Sequence, residues 1–329
     1  MITVPPIDLV AASTGSAAER RRQFDVLDAA LSQQGFATLE GHGIPASLTA
    51  DIFRVTREFF SGPDEIKRAV AQPAPEQVRG WSGVGAEGIA YSLDEESHGD
   101  LKEKMDIGRI DGAVIGEPGA GPLAFANLWP DSPSGFQRIW EGYYRHMQRI
   151  GAALLALSAE GFGLAGNWFE ALFDEELSML RALYFPEQAA APLPFQYRAG
   201  THTDYGAFTI VCAENTPGGL QVFDHDGEWL EVATTPGTPV ILVGDLLAEW
   251  TGNRWSATVH RTTNPPRSVA YASSRLALAY YQHPNADTAV TELPPFAVAG
   301  AADDHLHAGQ HLIEKYVRQT TFGAERTDW

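Results

Sequence analysis

His202 and Asp204 stand two residues apart where a β-like run, THTDYGAFTIVCA, begins. On a strand, residues i and i+2 project from the same face, so an imidazole and a carboxylate at this spacing can reach one ion. Two imidazoles and a carboxylate on one face of an octahedral iron(II) leave its other positions open for further ligands. That set needs a histidine from a distant strand, and His260, in SATVHRT, is placed to supply it. A His-x-acid pair alone is weak. With ten histidines and 42 acidic residues one match is expected by chance, and His98-Gly99-Asp100 is a second. Context separates them: His98 lies in the polar stretch DEESHGDLKEK, with no β-run beside it.

Beyond His260, Arg275 enters RLALAYYQ, a run whose alternate positions are apolar. A guanidinium is costly to bury without an anion. Its planar fork suits a carboxylate held by two parallel hydrogen bonds. Taken singly, each residue also has a plainer reading: a solvated turn for His202, a core histidine for His260, a rim ion pair for Arg275. Their combination gives the metal reading its weight.

Positioning these residues requires strands, and from Met179 onward the texture is β-like. RALYF, AFTIVCA, GGLQVF, EWLEVA, TPVILVGD, SATVHRT and RLALAYYQ are separated by glycine- and proline-bearing turns. Short strands at such spacing predict a sandwich or barrel. The preceding part reads as helical, apart from GFATLEGHGI, which reads as a strand running into a turn. Ala18 to Gln34 carries Phe24, Leu27 and Leu31 on one face and stops at Gly35; Ser47 is placed to cap LTADIFRVTREFF, which Gly62-Pro63 closes. A third helix runs from Phe136 to about Gly161, and HAGQHLIEKYVRQT returns to helix at the end. The stretch 71–130, rich in glycine, proline and acids, reads as loops over the site. The expected organisation is one domain over 1–329: a helical N-terminal part to 178, a jelly-roll core over 179–290, and a C-terminal helical segment from 291.

The bulk composition narrows the partners. The formal charge of −19 repels phosphate backbones, so nucleic acid is a poor partner. No apolar run reaches the roughly 18 residues a membrane span needs. The one cysteine, Cys212, excludes a disulfide framework and a thiolate zinc site, and its strand context reads as packing. The N-terminus has neither a basic start nor a continuous apolar stretch, so the expectation is a cytoplasmic protein acting on a small molecule.

The ordered set of motifs resembles the iron(II)/2-oxoglutarate oxygenases of the isopenicillin N synthase type. IDLVAAS, GFATLEGHGI, FFSGPDEIK, RGWSGVGAEG, DLKEKMDIG and NLWPD are followed by HTDYGAFTIV, GGLQV, VGDLLAEWT, TVHRT and RLALAYYQHPN in the family's order. The resemblance implies a double-stranded β-helix core, mainly β with flanking α-helices. It also implies Fe(II) held by His202, Asp204 and His260, with 2-oxoglutarate and O2 as co-substrates and Arg275 pairing the far carboxylate. Two usual polar contacts depart from the pattern. The family's Arg-x-Ser stands here as Arg275-Leu276-Ala277, and its Asn-Tyr-Tyr-Pro as Leu183-Tyr184-Phe185-Pro186. A bacterial subgroup that includes the ethylene-forming enzyme is similar in Arg181-x-Leu183-x-Phe185-Pro186, in HTDYG and in Arg275-x-Ala277. Through it, Arg181, Ala277 and Phe185 are expected at the co-substrate, and Glu87, Tyr205 and Trp250 at the substrate pocket. Two other outcomes stay open: breakdown of 2-oxoglutarate to ethylene or an oxidase needing no oxo acid, and a non-catalytic binding protein on the same fold.

Overall fold

The computed structural model describes residues 5–112, 123–297 and 307–322. The chain starts with β1 (Ile7–Asp8), α1 (Leu9–Thr14), α2 (Ala17–Gln34), β2 (Phe36–Glu40), α3 (Ala46–Phe60) and α4 (Asp64–Arg68). Then come β3 (Gly80–Ser82), β4 (Glu103–Ile107), α5 (Phe136–Gly161), β5 (Met179–Phe185), β6 (Ala199–His202) and β7 (Phe208–Ala213). It continues through β8 (Leu220–Phe223), β9 (Trp229–Glu231), β10 (Val240–Val243), α6 (Asp245–Trp250), β11 (His260–Thr262), β12 (Arg275–Tyr281) and α7 (Ala308–Thr321).

The strands form two sheets, β1-β2-β10-β7-β12-β5-β4-β3 and β6-β11-β8-β9, which is the jelly-roll arrangement the alternating runs imply. Alternation gives the large sheet two different faces. On β12, Arg275, Ala277, Ala279 and Tyr281 look into the space between the sheets. Leu276, Leu278 and Tyr280 look outward into the main core. On β5, Arg181, Leu183 and Phe185 face inward while Leu180 and Ala182 join the core.

Helices close the outer face. The Ser16 hydroxyl and Glu19 form a reciprocal capping box at the start of α2, and Gly35 ends it at φ 75°, a left-handed conformation that costs glycine least. α5 lies along α3, where the buried Trp140 Nε1 donates to Thr56 Oγ1 at 3.0 Å and Phe136 stacks on Trp140. Across the interface with the sheet, Tyr144 meets Tyr280 edge-on. Cys212 is buried and free; burial pushes its thiol up to about 12, so it stays an inert packing residue.

Two expectations are corrected. The first 178 residues hold more strand than the GFATLEGHGI run, which forms β2, because β1, β3 and β4 also join the large sheet at its ends. The stretch 71–130 is not all loop: β4 lies in the sheet between β3 and β5. Its charged sequence hid it, since Lys104 and Asp106 are both buried and pair with each other. At a smaller scale, Pro45 rather than Ser47 precedes α3, with no side-chain cap.

Candidate active site

β6 ends on His202, and its pairing with β11 sets His260 directly opposite, the two ring centroids 4.1 Å apart. Each ring is held by the carbonyl two residues back: His202 Nδ1 lies 2.8 Å from the Gly200 oxygen, and His260 Nδ1 lies 2.9 Å from the Thr258 oxygen. Those acceptors place the ring proton on Nδ1 and free both Nε2 lone pairs. Both Nε2 atoms face Asp204, at 3.6 Å from Oδ1 and 3.6 Å from Oδ2 respectively, beyond hydrogen-bond reach. Asp204 Oδ2 is buried without a hydrogen-bond partner. Burial raises the Asp204 carboxyl above its usual range and, with His260 adding to it, pushes the His202 imidazole well below its own. A neutral His202 imidazole beside a buried carboxylate with an unpartnered Oδ2 is an unstable arrangement until a cation joins it. The donor set therefore fits a divalent metal ion, and among the described residues it is the one such cluster of histidines and acids.

The triad opens onto a cavity of about 570 Å³, counting space open to solvent, between the two sheets. Leu183, Val211 and Ala213 form an apolar wall, and Arg275, Ala277 and Phe185 stand together at one end. Arg275 donates to Thr234 Oγ1 at 2.8 Å and to the Glu214 and Thr216 carbonyls. No carboxylate among the described residues makes an ion pair with it, since the nearby Glu214 is taken up by Arg57. Burial lowers its guanidinium to about 10, the mark of a cation kept from water without an adequate counter-charge.

At the other end stands Arg181, which is both ion-paired and inside the cavity wall. Its Nε and Nη2 grip Asp106 at 2.6 and 3.1 Å. It belongs to a buried, charge-balanced set of three acids, Glu87, Asp100 and Asp106, and three bases, Lys102, Lys104 and Arg181. Burial alone would raise the Glu87 carboxyl, but Lys104, Arg181 and Lys102 outweigh it and hold it well below the carboxylate range. The second His-x-acid pair also finds its role here. His98 is exposed, whereas Asp100 is buried against Lys102 and accepts from the amides of Gly200 (3.0 Å) and Ile89 (3.2 Å). Gly200 is the residue whose carbonyl orients His202, so Asp100 braces the metal-binding strand from behind. The signal for this network was present in the sequence: Lys102, Lys104 and Asp106 recur at strand spacing.

A second space of about 270 Å³ adjoins Asp204 and Arg181 and is lined by Tyr205, Tyr281, His283, Tyr316 and Gln319. Tyr205 donates to Gln319 Oε1 at 2.8 Å, and Gln319 Nε2 donates to Glu87 Oε1 at 3.3 Å. Tyr316 Oη lies 3.2 Å from His283 Nε2. Burial pushes His283 down to about 3, so its imidazole adds no charge to this cup. Tyr205 lines this space, and Glu87 meets it through Gln319. Trp250 stands away from it: it ends the short helix α6 and packs against Phe169 and Phe173 in the core. Tyr316 and Gln319 escaped sequence reading, because only the packing of α7 makes them neighbours of Asp204, whereas His283 arrives from the end of β12.

Comparison with known proteins agrees with this architecture. Residues 4–132 match the family described as non-haem dioxygenase in morphine synthesis N-terminal, and residues 177–284 match the 2OG-Fe(II) oxygenase superfamily. The chain is 33% identical over 276 residues to a proline hydroxylase of Petromyces alliaceus, covering 81% of this chain and 83% of that one. It is 30% identical over 307 residues to a 2-oxoglutarate-dependent dioxygenase of Glarea lozoyensis, covering 88% and 90%. The crystal structure of a full-length Neurospora crassa protein in complex with alpha-KG superposes with a TM-score of 0.82 at 27% identity, covering 95% of each chain. A triad fit for a metal, a jelly-roll that encloses it and relatives of this kind lead to one conclusion: the chain belongs to the 2OG-Fe(II) oxygenases and is a dioxygenase that uses iron(II) and 2-oxoglutarate to oxidise a small molecule.

Proposed function

We propose that the enzyme hydroxylates, desaturates or cyclises an uncharged, hydrogen-bonding small molecule, an amino-acid derivative or secondary metabolite, seated under α7. The carrying observation is the polarity of the space around the triad. One end offers Arg275, which no carboxylate among the described residues ion-pairs, and the other offers a cup of Tyr205, Tyr281, His283, Tyr316 and Gln319 whose cation, Arg181, is already paired. A dicarboxylate belongs at the first end, where its far carboxylate meets Arg275 between Ala277 and Phe185. At the second, the charge of Arg181 is already met by Asp106 and Glu87, so a substrate ion finds no free counter-charge. Names among the relatives point to amino-acid and secondary-metabolite substrates: a proline hydroxylase, and a validamycin A dioxygenase of Streptomyces hygroscopicus subsp. limoneus at 27% identity.

Iron(II) bound by His202, Asp204 and His260 would let O2 act as the oxidant, with 2-oxoglutarate oxidised to succinate and carbon dioxide alongside the substrate. The chain's own part is orientation and dryness. Arg275 fixes the oxo acid, the Leu183–Val211–Ala213 wall keeps water from it, and Tyr205, Tyr316 and Gln319 present the substrate's C–H bond. The single buried cysteine suits a reducing, cytoplasmic setting.

The test is a turnover screen of the iron-loaded enzyme with 2-oxoglutarate against neutral amino-acid derivatives and natural-product scaffolds, with succinate, oxidised product and headspace gas all measured. Succinate in step with product is the expected result. Ethylene as the main product, or substrate oxidation without 2-oxoglutarate, would overturn the assignment.

A further inference from the structure

Ala277 leaves the co-substrate end without the serine hydroxyl that an Arg-x-Ser pair provides, yet another strand brings a hydroxyl to the same place. Thr262 lies on β11 two residues beyond His260, so its side chain projects from the same face as that metal ligand. It lines the cavity together with Arg275 and Ala277. In the β11–β8 ladder it is paired with Leu220, which lines the cavity too. A Cβ built on Gly219, the residue before Leu220, would sit 3.8 Å from Arg275 Nη1, so the guanidinium runs close beside this ladder. The half-buried Thr262 hydroxyl has no hydrogen-bond partner among the described residues. Its neighbour Thr263 and the nearby Thr234 do engage theirs, on the Gly219 carbonyl and on Glu214 and Arg275.

We propose that Thr262 donates a hydrogen bond to the far carboxylate of 2-oxoglutarate, replacing from β11 the hydroxyl missing at Ala277, and so makes this enzyme selective for dicarboxylic oxo acids. The proposal rests on Arg275 holding that same carboxylate. Arg198, a second buried arginine near this end, does not fill the role. Its guanidinium is spent on the carbonyls of Pro217, Gly218 and Ser273, and it tightens the turns around the pocket instead.

Calorimetric titration with Mn(II) in place of iron separates the possibilities, using 2-oxoglutarate and 2-oxopentanoate, which has the same chain but no far carboxylate. Thr262→Val keeps the β-branched shape and loses the hydroxyl. A hydrogen bond to a charged group is worth about 1.5–3 kcal/mol, so Kd for 2-oxoglutarate should rise ten- to hundredfold. Kd for 2-oxopentanoate should stay within twofold, and Thr262→Ser or Thr262→Val combined with Ala277→Ser should recover most of the loss. If wild-type protein binds the two oxo acids equally, the assignment of Arg275 itself fails. If wild type discriminates and Thr262→Val does so equally well, or weakens both ligands alike, Thr262 has no role at the carboxylate and only this proposal falls.

Discussion

At the scale of single residues, the site depends on charges that are buried but rarely alone. Glu87 is the sharpest case. It joins Lys104, Lys102 and Arg181 beneath the cavity and accepts from Gln319 above it. Replacing it by glutamine leaves a buried cation excess, a change that costs about 3 kcal/mol of stability at neutral pH. The pH course follows from the sign of the shift. The folded carboxyl lies below its unfolded value of about 4.5, so its stabilisation is complete above that pH and fades as the unfolded state takes up the proton. Denaturation of wild type and Glu87→Gln should differ most near pH 7. The gap should narrow by roughly 1.4 kcal/mol per unit below pH 4.5. A gap that stayed constant to pH 3 would show that Glu87 is not held ionised by its neighbours.

Elements were legible where one period dominated. The runs of β5, β7, β10 and β12 alternate or are continuously apolar, and α2, α3 and α5 carry clear stripes. β4 was not legible, because Glu103-Lys104-Met105-Asp106 looks like a solvated loop until Arg181 and Glu87 are known to face it. A strand of charges can be buried only if its partners exist, and they come from β5 and from the loop that precedes β4. α5 packs on the large sheet through Tyr144 on Tyr280 and on α3 through Trp140 on Thr56. Trp140 is fully buried, so Trp140→Ala should cost about 3–5 kcal/mol in chemical denaturation. A loss under 1 kcal/mol would mean that the α5–α3 packing contributes little to stability. The same change leaves the triad's geometry to β6, β7 and β11, so Mn(II) binding should persist in the fraction that folds.

For the whole molecule, metal and fold are linked. Asp204 is a buried carboxylate with an orphaned oxygen, and His202 stays neutral beside it; both press on the native state until a cation is bound. Saturating Mn(II) at a hundred times its Kd should stabilise the protein by about 2.7 kcal/mol, seen as a rise in Tm. Asp204→Ala should abolish that rise while melting no lower than the metal-free wild type, because it removes the unpaired charge with the ligand. An unchanged metal-dependent rise in the variant would place the ion elsewhere. The net charge of −19 adds general attraction for cations, so the comparison belongs at physiological salt, where such attraction is screened within about 8 Å.

The amino-acid sequence by itself determined the ligand types and their spacing, the β-rich second half and the arginine at the entry of the last strand, because these follow from local periodicity. It could not weigh His98-Gly99-Asp100 against His202-Thr203-Asp204 beyond context, nor see that Asp100 serves the other pair as a brace behind Gly200. Tertiary structure decided which residues meet: His260 opposite His202, Arg181 locked to Asp106, Tyr316 and Gln319 over Asp204, and Trp250 turned into the core. The reason is physical. A strand's own pattern tells which of its faces is buried, but the partner on the next strand is set by register and crossover, and in a jelly roll those neighbours lie tens of residues apart.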